Sequence, residues 1–559
     1  MKIEEQVLEQ LVKIYGHKAD EMMHELSPTL EKFAKAKFPE KAAINQKNVY
    51  LIAYGDSIQK AGEVPLQTLR NTLNQVAKNL ITDVHLLPMF PYTSDDGFSV
   101  VDYYEIDPTL GTWQDIALLE EDYRLMFDFV ANHMSKSSEW FQKFLSREAG
   151  FEQAFIQQDE AFDATKVVRP RTSPLFHHYP TADGSLSAWT TFSEDQVDMN
   201  VQDGKMLARL TDVLLTYAQA GASSIRLDAI GFLWKESGTT SMHLKQTHEI
   251  IKLWRILLDY FSPYTQIITE TNVPHKENIS YFGNKDDEAN MVYQFPLPPL
   301  VLNAFTKNDS QTLTKWAKDI HCVSETATYF NFLASHDGIG MRPTEGILTE
   351  EERNHLVEKV QKNGGKISYK SNPDGSQTVY ELNINYAEAL RNPGEDDQTA
   401  IKKMLAAHHI LLSMVGVPAI YYHSLFGSKN DLAGFEKSGI NRRINREKLD
   451  ADKLLMALKE DHYRQEIFDG ILHLIHLRQK SEHFSPYANQ EVLDYGHNVF
   501  ALRRQKKDSS SAIISITNVS PEPVVLQNIV GKEMILQQNL HGELQLEPYG
   551  IAWIEVENQ

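Results

Sequence analysis

Three carboxylates near the middle of the chain have the types and positions that acid–base or nucleophilic chemistry needs. Asp228, Glu270 and Asp337 each stand at or just beyond the end of a short apolar run. If those runs are parallel strands, their carboxyl ends meet at one mouth and the three acids converge there. A single acid in such a place is commonly a helix cap or an ion-pair partner, whereas three together indicate a catalytic cluster.

Three clustered carboxylates suit retaining cleavage of a glycosidic bond. One ionised carboxylate attacks the anomeric carbon, and a second, protonated one about 5–5.5 Å away donates to the leaving oxygen. Close packing separates their pKa values, so that one stays neutral. Arg226 precedes Asp228 by two residues, so both side chains project from the same strand face. We therefore expect Asp228 to be the anionic nucleophile, Glu270 the acid/base and Asp337 a supporting carboxylate.

Eight short apolar runs, each followed by a helical stretch, supply the elements that would position these acids. Their continuous hydrophobicity is typical of parallel strands covered by helices, and eight is the number that a (β/α)8 barrel requires. An open doubly wound sheet is the alternative. We predict an α/β fold, a TIM barrel with two inserted loop domains and a C-terminal β domain. The runs are residues 49–54, 84–89, 125–130, 224–227, 266–271, 291–295, 329–334 and 417–422.

The pattern divides the chain into three parts. We expect an N-terminal helical extension over residues 1–48, a catalytic barrel over 49–487 and a C-terminal β-sandwich domain over 488–559. Two gaps between strands are too long for ordinary loops, so insertions are predicted at about 135–200 and 338–400.

Local signals mark several element boundaries. In the extension, Gly16 is a predicted helix end and Ser27-Pro28 a predicted helix start. In the second insertion, Thr349 and Glu352 form a capping box. A hairpin follows around the turn residues 372–375.

Composition excludes several classes of function. The net charge of −21 is unfavourable for binding nucleic acid, and no apolar run reaches the roughly 18–20 residues of a membrane helix. The acidic, amphipathic start is unlike a secretory signal. The single cysteine, Cys322, excludes an internal disulfide and a cysteine-based metal cluster. We expect a cytoplasmic enzyme with no metal and no membrane partner, either a monomer or a homodimer.

Four segments resemble the signature motifs of the α-amylase superfamily, glycoside hydrolase family 13. They are residues 128–133, 226–229, Glu270 on the next strand and His336-Asp337 two strands later. The resemblance implies that His133, Arg226 and His336 contact the glucosyl hydroxyls. It also implies that Asp337 binds two of those hydroxyls as the sugar ring distorts.

Further segments resemble the sucrose phosphorylase branch of that family. They are residues 94–98, 169–171, Phe192 with 196–198, 228–231 with 235–239, 336–340 and 442–446. The resemblance implies that Asp95 and Arg442 close the glucose subsite into a pocket, with Phe192 and Gln196 in the same glucose-binding set. It further implies that Arg171 neutralises an incoming phosphate, and that Tyr380 and Glu381 lie on the acceptor side.

The acceptor side departs from sucrose phosphorylases. Tyr380-Glu381 stands where they carry tyrosine and glutamine, Thr271-Asn272 where they carry valine and histidine, and Phe232 where they carry tyrosine. Residues 270–275, 291–295 and 94–100 resemble instead the glucosylglycerate phosphorylases of the same branch. A glycerate carboxylate requires a cation, and Arg342 and His275 are both candidates.

The resulting expectation is transfer of an α-glucosyl group from a small α-glucoside, 2-O-α-glucosylglycerate, to inorganic phosphate. The product is α-glucose 1-phosphate, and no cofactor is required beyond phosphate as co-substrate. Glucosylglycerol, sucrose or sucrose 6-phosphate are alternative substrates. More distant alternatives are an amylase-type hydrolase or transglucosidase with an open cleft, and a non-catalytic sugar-binding barrel.

Overall fold

A closed barrel of eight parallel strands forms the centre of the protein, in a computed structural model that describes residues 2–372 and 374–557. The strands follow one another around the barrel in chain order, and each falls within or overlaps one of the eight predicted runs. The predicted (β/α)8 barrel is confirmed, and the open doubly wound sheet is wrong. The strands are β1 Tyr50–Ala53, β2 Asp83–Leu86, β3 Arg124–Phe129, β4 Ala222–Leu227, β5 Gln266–Thr269, β6 Met291–Tyr293, β7 Thr328–Asn331 and β8 Val417–Tyr421.

Helices cover the outside of the barrel, which explains why its strands are buried on both faces and lack a polar alternation. Polar caps start several of these helices: the Asp203 and Asp396 side chains accept backbone N–H groups, and Thr112 begins a capping box. The covering helices are Pro65–Val76, Trp113–Glu120, Gly204–Gln219, Lys245–Phe261, Leu297–Lys307, Gln311–Ala317, Asp397–Ser413 and His462–Gln479. Between β5 and β6 the chain forms only the short helix His275–Asn278 and the 3-10 turn Ile279–Phe282.

The N-terminal extension forms two helices, Ile3–Tyr15 and Ala19–Ala34. Gly16 ends the first helix with a φ of 61°, as predicted. The predicted helix start at Ser27-Pro28 is wrong, because the second helix runs through Pro28. Apolar side chains on one face of this helix, including Leu26 and Leu30, are buried, and that burial outweighs the one backbone hydrogen bond that proline removes.

The first insertion leaves and re-enters the barrel mouth through a pair of antiparallel strands, His133–Ser135 and Gln196–Asp198. Between them lie the helix Glu139–Leu145 and a hairpin of Phe176–Thr181 with Gly184–Trp189. The paired strands place the predicted residues His133 and Gln196 at the base of the insertion, beside the barrel mouth.

The second insertion follows β7 and contains the predicted helix and hairpin. The Thr349 hydroxyl accepts a hydrogen bond from the Glu352 N–H at 3.2 Å, and Glu352 accepts one from the Thr349 N–H at 2.8 Å. Pro373, in the predicted turn, lies outside the described residues. The elements are the strand Ile339–Gly340, the helix Glu350–Lys362, the strands Lys366–Ser371 and Gln377–Asn383 and the helix Tyr386–Leu390.

The segment after β8 folds back over the barrel mouth. Its 3-10 turn, Asn441–Asn445, carries Arg442, and its strand Leu449–Asp450 pairs with Ile58–Gln59 after β1. The helices of this segment are Tyr422–Leu425, Leu432–Ser438 and Ala451–Glu460.

The C-terminal part is a six-stranded antiparallel sheet, which confirms the predicted β domain, although its strands form one hydrogen-bonded sheet and not the two sheets of the predicted β-sandwich. Its strands are β9 Asn489–Leu493, β10 Val499–Gln505, β11 Ser511–Asn518, β12 Val524–Glu533, β13 Gln538–Leu546 and β14 Ile551–Glu557. The β12–β13 hairpin pairs with β14 only at Lys532 and Glu533. Apolar side chains of the hairpin, such as Leu526 and Leu544, pack with those of β10, β11 and β14. The hairpin therefore folds over the other strands to enclose a small core.

Across the described parts of the chain, the structure contains no helix that is both long and apolar enough to cross a membrane.

Candidate active site

The three predicted carboxylates line one cavity at the carboxyl ends of the barrel strands. Asp228 directly follows β4, Glu270 directly follows β5, and Asp337 lies six residues beyond β7. The structure therefore brings together the acids that the strand-end pattern predicted. Among the described residues, no group of three or more His, Cys, Asp or Glu side chains is arranged to hold a metal ion.

Arg226 lies at the centre of this acidic cluster. Its Nη1 is 2.8 Å from Asp228 Oδ1 and 2.5 Å from Asp128 Oδ1, while its Nη2 is 3.9 Å from Glu270 Oε2. The predicted Arg226–Asp228 pair is present, but Arg226 does not serve Asp228 alone. Asp128, which also pairs with His85 at 2.6 Å, shares the guanidinium.

The electrostatic environment separates the three acids. Burial raises the pKa of both Asp228 and Glu270 above their ordinary values, and Arg226 acts in the opposite direction on each. Arg442, His336 and Arg446 hold the pKa of Asp337 well below its ordinary value, despite burial. Asp337 is thus an anion at neutral pH, while Asp228 and Glu270 compete for a proton.

Glu270 is held by the backbone that follows Asp228. Its Oε2 accepts a hydrogen bond from the Ala229 N–H at 2.9 Å. Ala229 has a φ of 46°, in the left-handed region that a residue with a side chain rarely adopts. The strained turn aims this N–H at Glu270 and so fixes the two carboxylates relative to each other.

Asp337 and Glu381 hold Arg442 between them. Arg442 Nη1 lies 2.7 Å from Asp337 Oδ1, and its Nη2 and Nε donate to Glu381 at 2.6 Å and 3.1 Å. Glu381 is buried and both of its oxygens are used in this pair. It lines the cavity where an acceptor residue was predicted, but its contacts are those of a residue that holds Arg442.

Six of the seven predicted glucose-binding residues line the cavity, whereas Arg226 is absent from its described lining. Gln196 Nε2 donates to Asp95 Oδ2 at 3.0 Å, and the His133 ring lies 5.1 Å from the Phe192 ring between centroids. His336 stacks on Phe98 at 5.1 Å with an interplanar angle of 8°. Burial lowers the pKa of both His133 and His336, so both imidazoles are neutral at pH 7.

Asp95 is aimed by a tight turn that the sequence could not specify. Asp95, Asp96 and Gly97 all have positive φ values, of 54°, 49° and 111°. A side chain at Gly97 would meet Pro88, since a Cβ there would lie 2.9 Å from Pro88 Cβ. Asp96 ties the turn to the segment after β8 through Arg443 and through Arg446 at 2.5 Å.

Behind His133, a buried polar group fixes the base of the first insertion. Asn132 Nδ2 donates to Asp198 Oδ2 at 3.0 Å, and Lys235 Nζ lies 2.7 Å from both Asn132 Oδ1 and Asp198 Oδ2. Because Lys235 belongs to the loop after Asp228, this group connects the insertion to the nucleophile's loop.

On the acceptor side of the cavity, the arginines are less firmly paired with carboxylates than Arg226 and Arg442 are. Arg171 lies between two rings, with its guanidinium carbon 5.5 Å from the centroids of both Phe192 and Tyr380. Its one polar contact, to the Pro170 carbonyl, is 3.4 Å long. Arg169, by contrast, donates to the Ser173 carbonyl within the insertion.

Of the two cations predicted for a carboxylate, Arg342 lines the cavity and His275 is absent from its described lining. His275 instead packs against Trp316 at 6.1 Å between ring centroids, and burial lowers its pKa. The prediction of His275 as a cation at the cavity is therefore wrong.

Sequence reasoning gave no role to several residues that now stand out: Asp128, Asp96, Phe98, Tyr293 and Arg446. Asp128, Asp96, Phe98 and Arg446 lie inside the motifs quoted above, so motif membership was the available signal. Tyr293, whose hydroxyl accepts from Arg226 Nε at 3.0 Å, lay in a segment quoted only for its resemblance.

A cluster of acids around one arginine at the mouth of a (β/α)8 barrel is the arrangement of a glycoside-cleaving enzyme. Residues 59–362, more than half of the chain, match the family model described as "Alpha amylase, catalytic domain". The chain belongs to the α-amylase family, glycoside hydrolase family 13.

Comparison with individual proteins shows to which enzymes of this family the chain is similar. The chain is 46% identical over 491 residues to a glucosylglycerate phosphorylase of Spirochaeta thermophila, covering 88% of this chain and 83% of that protein. It is 43% identical over 556 residues to one from Allomeiothermus silvanus, covering 99% of each chain. The crystal structure of a sucrose 6F-phosphate phosphorylase from Thermoanaerobacter thermosaccharolyticum matches with a TM-score of 0.73 at 25% identity, over 85% of this chain and 94% of that one. The protein is an enzyme of the glycoside phosphorylase group in this family.

Proposed function

We propose that the protein is a retaining glucosylglycerate phosphorylase, which transfers the glucosyl group of 2-O-α-glucosylglycerate to inorganic phosphate. The observation that carries the proposal is the arrangement of Asp228 and Glu270 on neighbouring strands around Arg226, in a chain 43% identical over 99% of its length to a glucosylglycerate phosphorylase. Asp228 is the nucleophile, Glu270 the acid/base and Asp337 the supporting carboxylate.

In the first step, Asp228 attacks the anomeric carbon and Glu270 gives its proton to the glycosidic oxygen. The bond to that oxygen breaks, glycerate leaves, and a β-glucosyl ester of Asp228 forms. Arg226 supports this division of roles because it is 2.8 Å from Asp228 and 3.9 Å from Glu270. The nearer cation stabilises the anionic form of Asp228, which is the form that a nucleophile needs.

In the second step, phosphate occupies the space that glycerate left and attacks the same carbon from the opposite face to Asp228. Glu270 takes the phosphate proton, the ester bond breaks, and α-glucose 1-phosphate forms with net retention. Arg171 neutralises the phosphate charge. Its role is supported by a guanidinium that lines the cavity and, among the described residues, has no carboxylate partner at hydrogen-bonding distance.

The glucose subsite binds one glucosyl unit and excludes an oligosaccharide. Asp337, Arg442, Asp95 and Gln196 bind the glucosyl hydroxyls, and His133, His336 and Phe192 complete the subsite. The ion pairs of Arg442 with Asp337 and Glu381 and of Asp96 with Arg446 cover the mouth from the segment after β8. This covering supports attack on a small glucoside and argues against the open cleft of an amylase-type hydrolase.

The cellular location and the cofactor requirement belong to the same proposal. We propose a cytoplasmic enzyme that needs phosphate as co-substrate and no other cofactor. The acidic composition and the single cysteine support that location.

The test is a panel of glucosides incubated with the purified protein and phosphate, with release of α-glucose 1-phosphate as the readout. Glucosylglycerate is expected to give the highest kcat/KM, above glucosylglycerol, sucrose and sucrose 6-phosphate. The Asp228→Asn variant is the matched control and is expected to release none. A higher kcat/KM for any other glucoside would contradict the proposed substrate, and phosphate-independent release of glucose alone would contradict phosphorolysis.

A further inference from the structure

Two of the arginines that line the cavity have no carboxylate at hydrogen-bonding distance among the described residues. Of the three arginines lining it in the described part of the chain, Arg442 is paired with Asp337 and Glu381. Arg171 and Arg342 have no such partner. The carboxylate nearest to Arg342, that of Glu345, is 4.0 Å from Nε, beyond hydrogen-bonding distance. Arg171 and Arg342 are therefore the two lining arginines that remain available to an anionic ligand.

Arg342 is also an incompletely satisfied donor. Its Nε is buried and has no hydrogen-bond partner, an arrangement that is unfavourable unless a ligand supplies the acceptor. Lys370 and His243 lie close enough that the charge of Arg342 helps to lower the pKa of each. Glu345 acts in the opposite direction on Lys370, so the positive charge near Arg342 is only partly offset and can attract an anion.

Arg342 and Glu270 line the same cavity, and the strand before Arg342 contacts the segment that follows Glu270. Arg342 follows the strand Ile339–Gly340, and the intervening Met341 N–H donates to the Tyr380 carbonyl at 2.9 Å. Gly340 packs directly against Asn272, because a Cβ there would lie 2.7 Å from Asn272 Oδ1. Asn272 stands two residues after Glu270 and lines the same cavity, where its Nδ2 is the atom that can donate to a carboxylate.

The chemistry of the leaving group matches this position. In an α-glucoside formed on the 2-hydroxyl of a small acid, the carboxylate carbon is bonded to the carbon that carries the glycosidic oxygen. Its negative charge therefore lies within a few bonds of the atom that Glu270 protonates. A cation beside Asn272 can reach that carboxylate, and a guanidinium binds a carboxylate through two parallel N–H groups.

We propose that Arg342, assisted by the amide of Asn272, binds the carboxylate of the leaving group and so selects glucosides of small 2-hydroxy acids over glucosides of neutral alcohols. In this proposal Arg171 binds phosphate. The inference rests on the proposed function, since it assigns a residue to the aglycone of that reaction. It adds the specificity-determining contact, which neither the barrel motifs nor the similarity to other phosphorylases assigns.

The experiment uses the reverse reaction, with α-glucose 1-phosphate as donor and either D-glycerate or glycerol as acceptor. The selectivity, the ratio of kcat/KM for glycerate to that for glycerol, is measured for wild type, Arg342→Gln and Arg353→Gln. Arg353 lies near Lys370 on the second insertion but does not line the cavity, so its variant controls for a general loss of positive charge. Hydrolysis of α-glucose 1-phosphate in each variant confirms an intact catalytic centre.

Arg342→Gln is expected to reduce the selectivity about tenfold or more, through a higher KM for glycerate. The KM for phosphate in the forward reaction should change little, and Arg353→Gln should retain wild-type selectivity and hydrolysis. Unchanged selectivity in Arg342→Gln would overturn the inference. So would an increase in the KM for phosphate with selectivity intact, because Arg342 would then serve phosphate. A wild-type enzyme that does not prefer glycerate would instead overturn the proposed function, so the two failures are distinguishable.

Discussion

The guanidinium of Arg442 donates to both oxygens of Glu381, at 2.6 Å and 3.1 Å, and its remaining nitrogen lies 2.7 Å from Asp337. One arginine from the segment after β8 thereby joins a carboxylate of the second insertion to an acid of the central cluster. A glutamate in this place adds a negative charge that a glutamine would lack. We therefore expect the position of Arg442 to depend on the charge of Glu381.

Replacing Glu381 with glutamine should weaken the glucose subsite while leaving the fold intact. A hydrogen bond to a charged group contributes about 1.5–3 kcal/mol, so kcat/KM for phosphorolysis should fall by about 10- to 100-fold. Steady-state kinetics on the proposed glucoside provide the measurement, with the exposed Glu491→Gln of the C-terminal sheet as control. Wild-type kcat/KM in the Glu381 variant would show that Arg442 does not need this partner.

Replacing Arg171 with glutamine should affect phosphate far more than the glucoside. We expect the KM for phosphate to rise by about 10- to 100-fold because one charge-assisted contact is lost. The slow release of glucose without phosphate should persist. Initial rates over a range of phosphate concentrations measure the effect, and the exposed Arg147→Gln is the control. An unchanged phosphate KM would return Arg171 to a structural role on the insertion.

The pH dependence of phosphorolysis should identify Glu270 as the acid. Its first step requires the protonated form, and burial raises the pKa of Glu270. The value of kcat/KM should therefore fall as pH rises through that pKa, at a higher pH than an exposed glutamate would give. Glu270→Gln should lower kcat by about 10²- to 10⁴-fold and abolish this alkaline limb.

α-Glucosyl fluoride is the matched substrate for that profile, because fluoride departs without a proton. With this donor, the alkaline limb of kcat/KM should flatten for wild type. The Glu270→Gln variant should form the glucosyl-enzyme at most of the wild-type rate. Persistence of the same limb with the fluoride would assign it to another group.

Acid should destabilise the protein through histidines buried near the C-terminal sheet. Burial lowers the pKa of His408 to about 4 and that of His409 to about 3. An unfolded histidine titrates near 6.5, so the unfolded state takes up these protons first as pH falls. Stability should decrease from about pH 6.5 downward until the folded-state pKa values are reached, by about 1.4 kcal/mol per pH unit and histidine.

His409→Phe isolates one of these contributions. The ring can keep its stacking on Trp553, at 4.8 Å between centroids, while the contact to Thr517 is lost. Its thermal midpoint should fall at pH 7.5 yet decline less between pH 7.5 and pH 5 than that of wild type. The exposed His462→Gln should show the wild-type decline. An equal decline in both variants would mean that His409 is charged in the folded protein.

Local geometry explains which parts of the site could be predicted from the sequence. Arg226 and Asp228 are two residues apart on a strand, so their shared face follows from the strand period alone. The contact between Arg226 and Asp128 joins residues 98 positions apart, and that between Glu381 and Arg442 joins residues 61 apart. No local pattern specifies such pairs, because they depend on how the strands and insertions close around the mouth.

The same reasoning applies to the fold. The eight strands could be predicted from the sequence because strands covered by helices on the outside consist of continuous apolar runs. The predicted helix start at Ser27-Pro28 is wrong because the prediction used local residue preference alone. The buried face of the helix Ala19–Ala34 determines where that helix begins and ends. The turn that aims Asp95 has two non-glycine residues with positive φ, which residue type does not indicate.

The most direct test of the account follows both products of glucosylglycerate cleavage in phosphate by NMR. Double displacement with Asp228 and Glu270 predicts one equivalent of α-glucose 1-phosphate for each glycerate released, with the anomeric proton in the α configuration from the first turnover. Formation of β-glucose 1-phosphate, or of free glucose in proportion to glycerate, would contradict it.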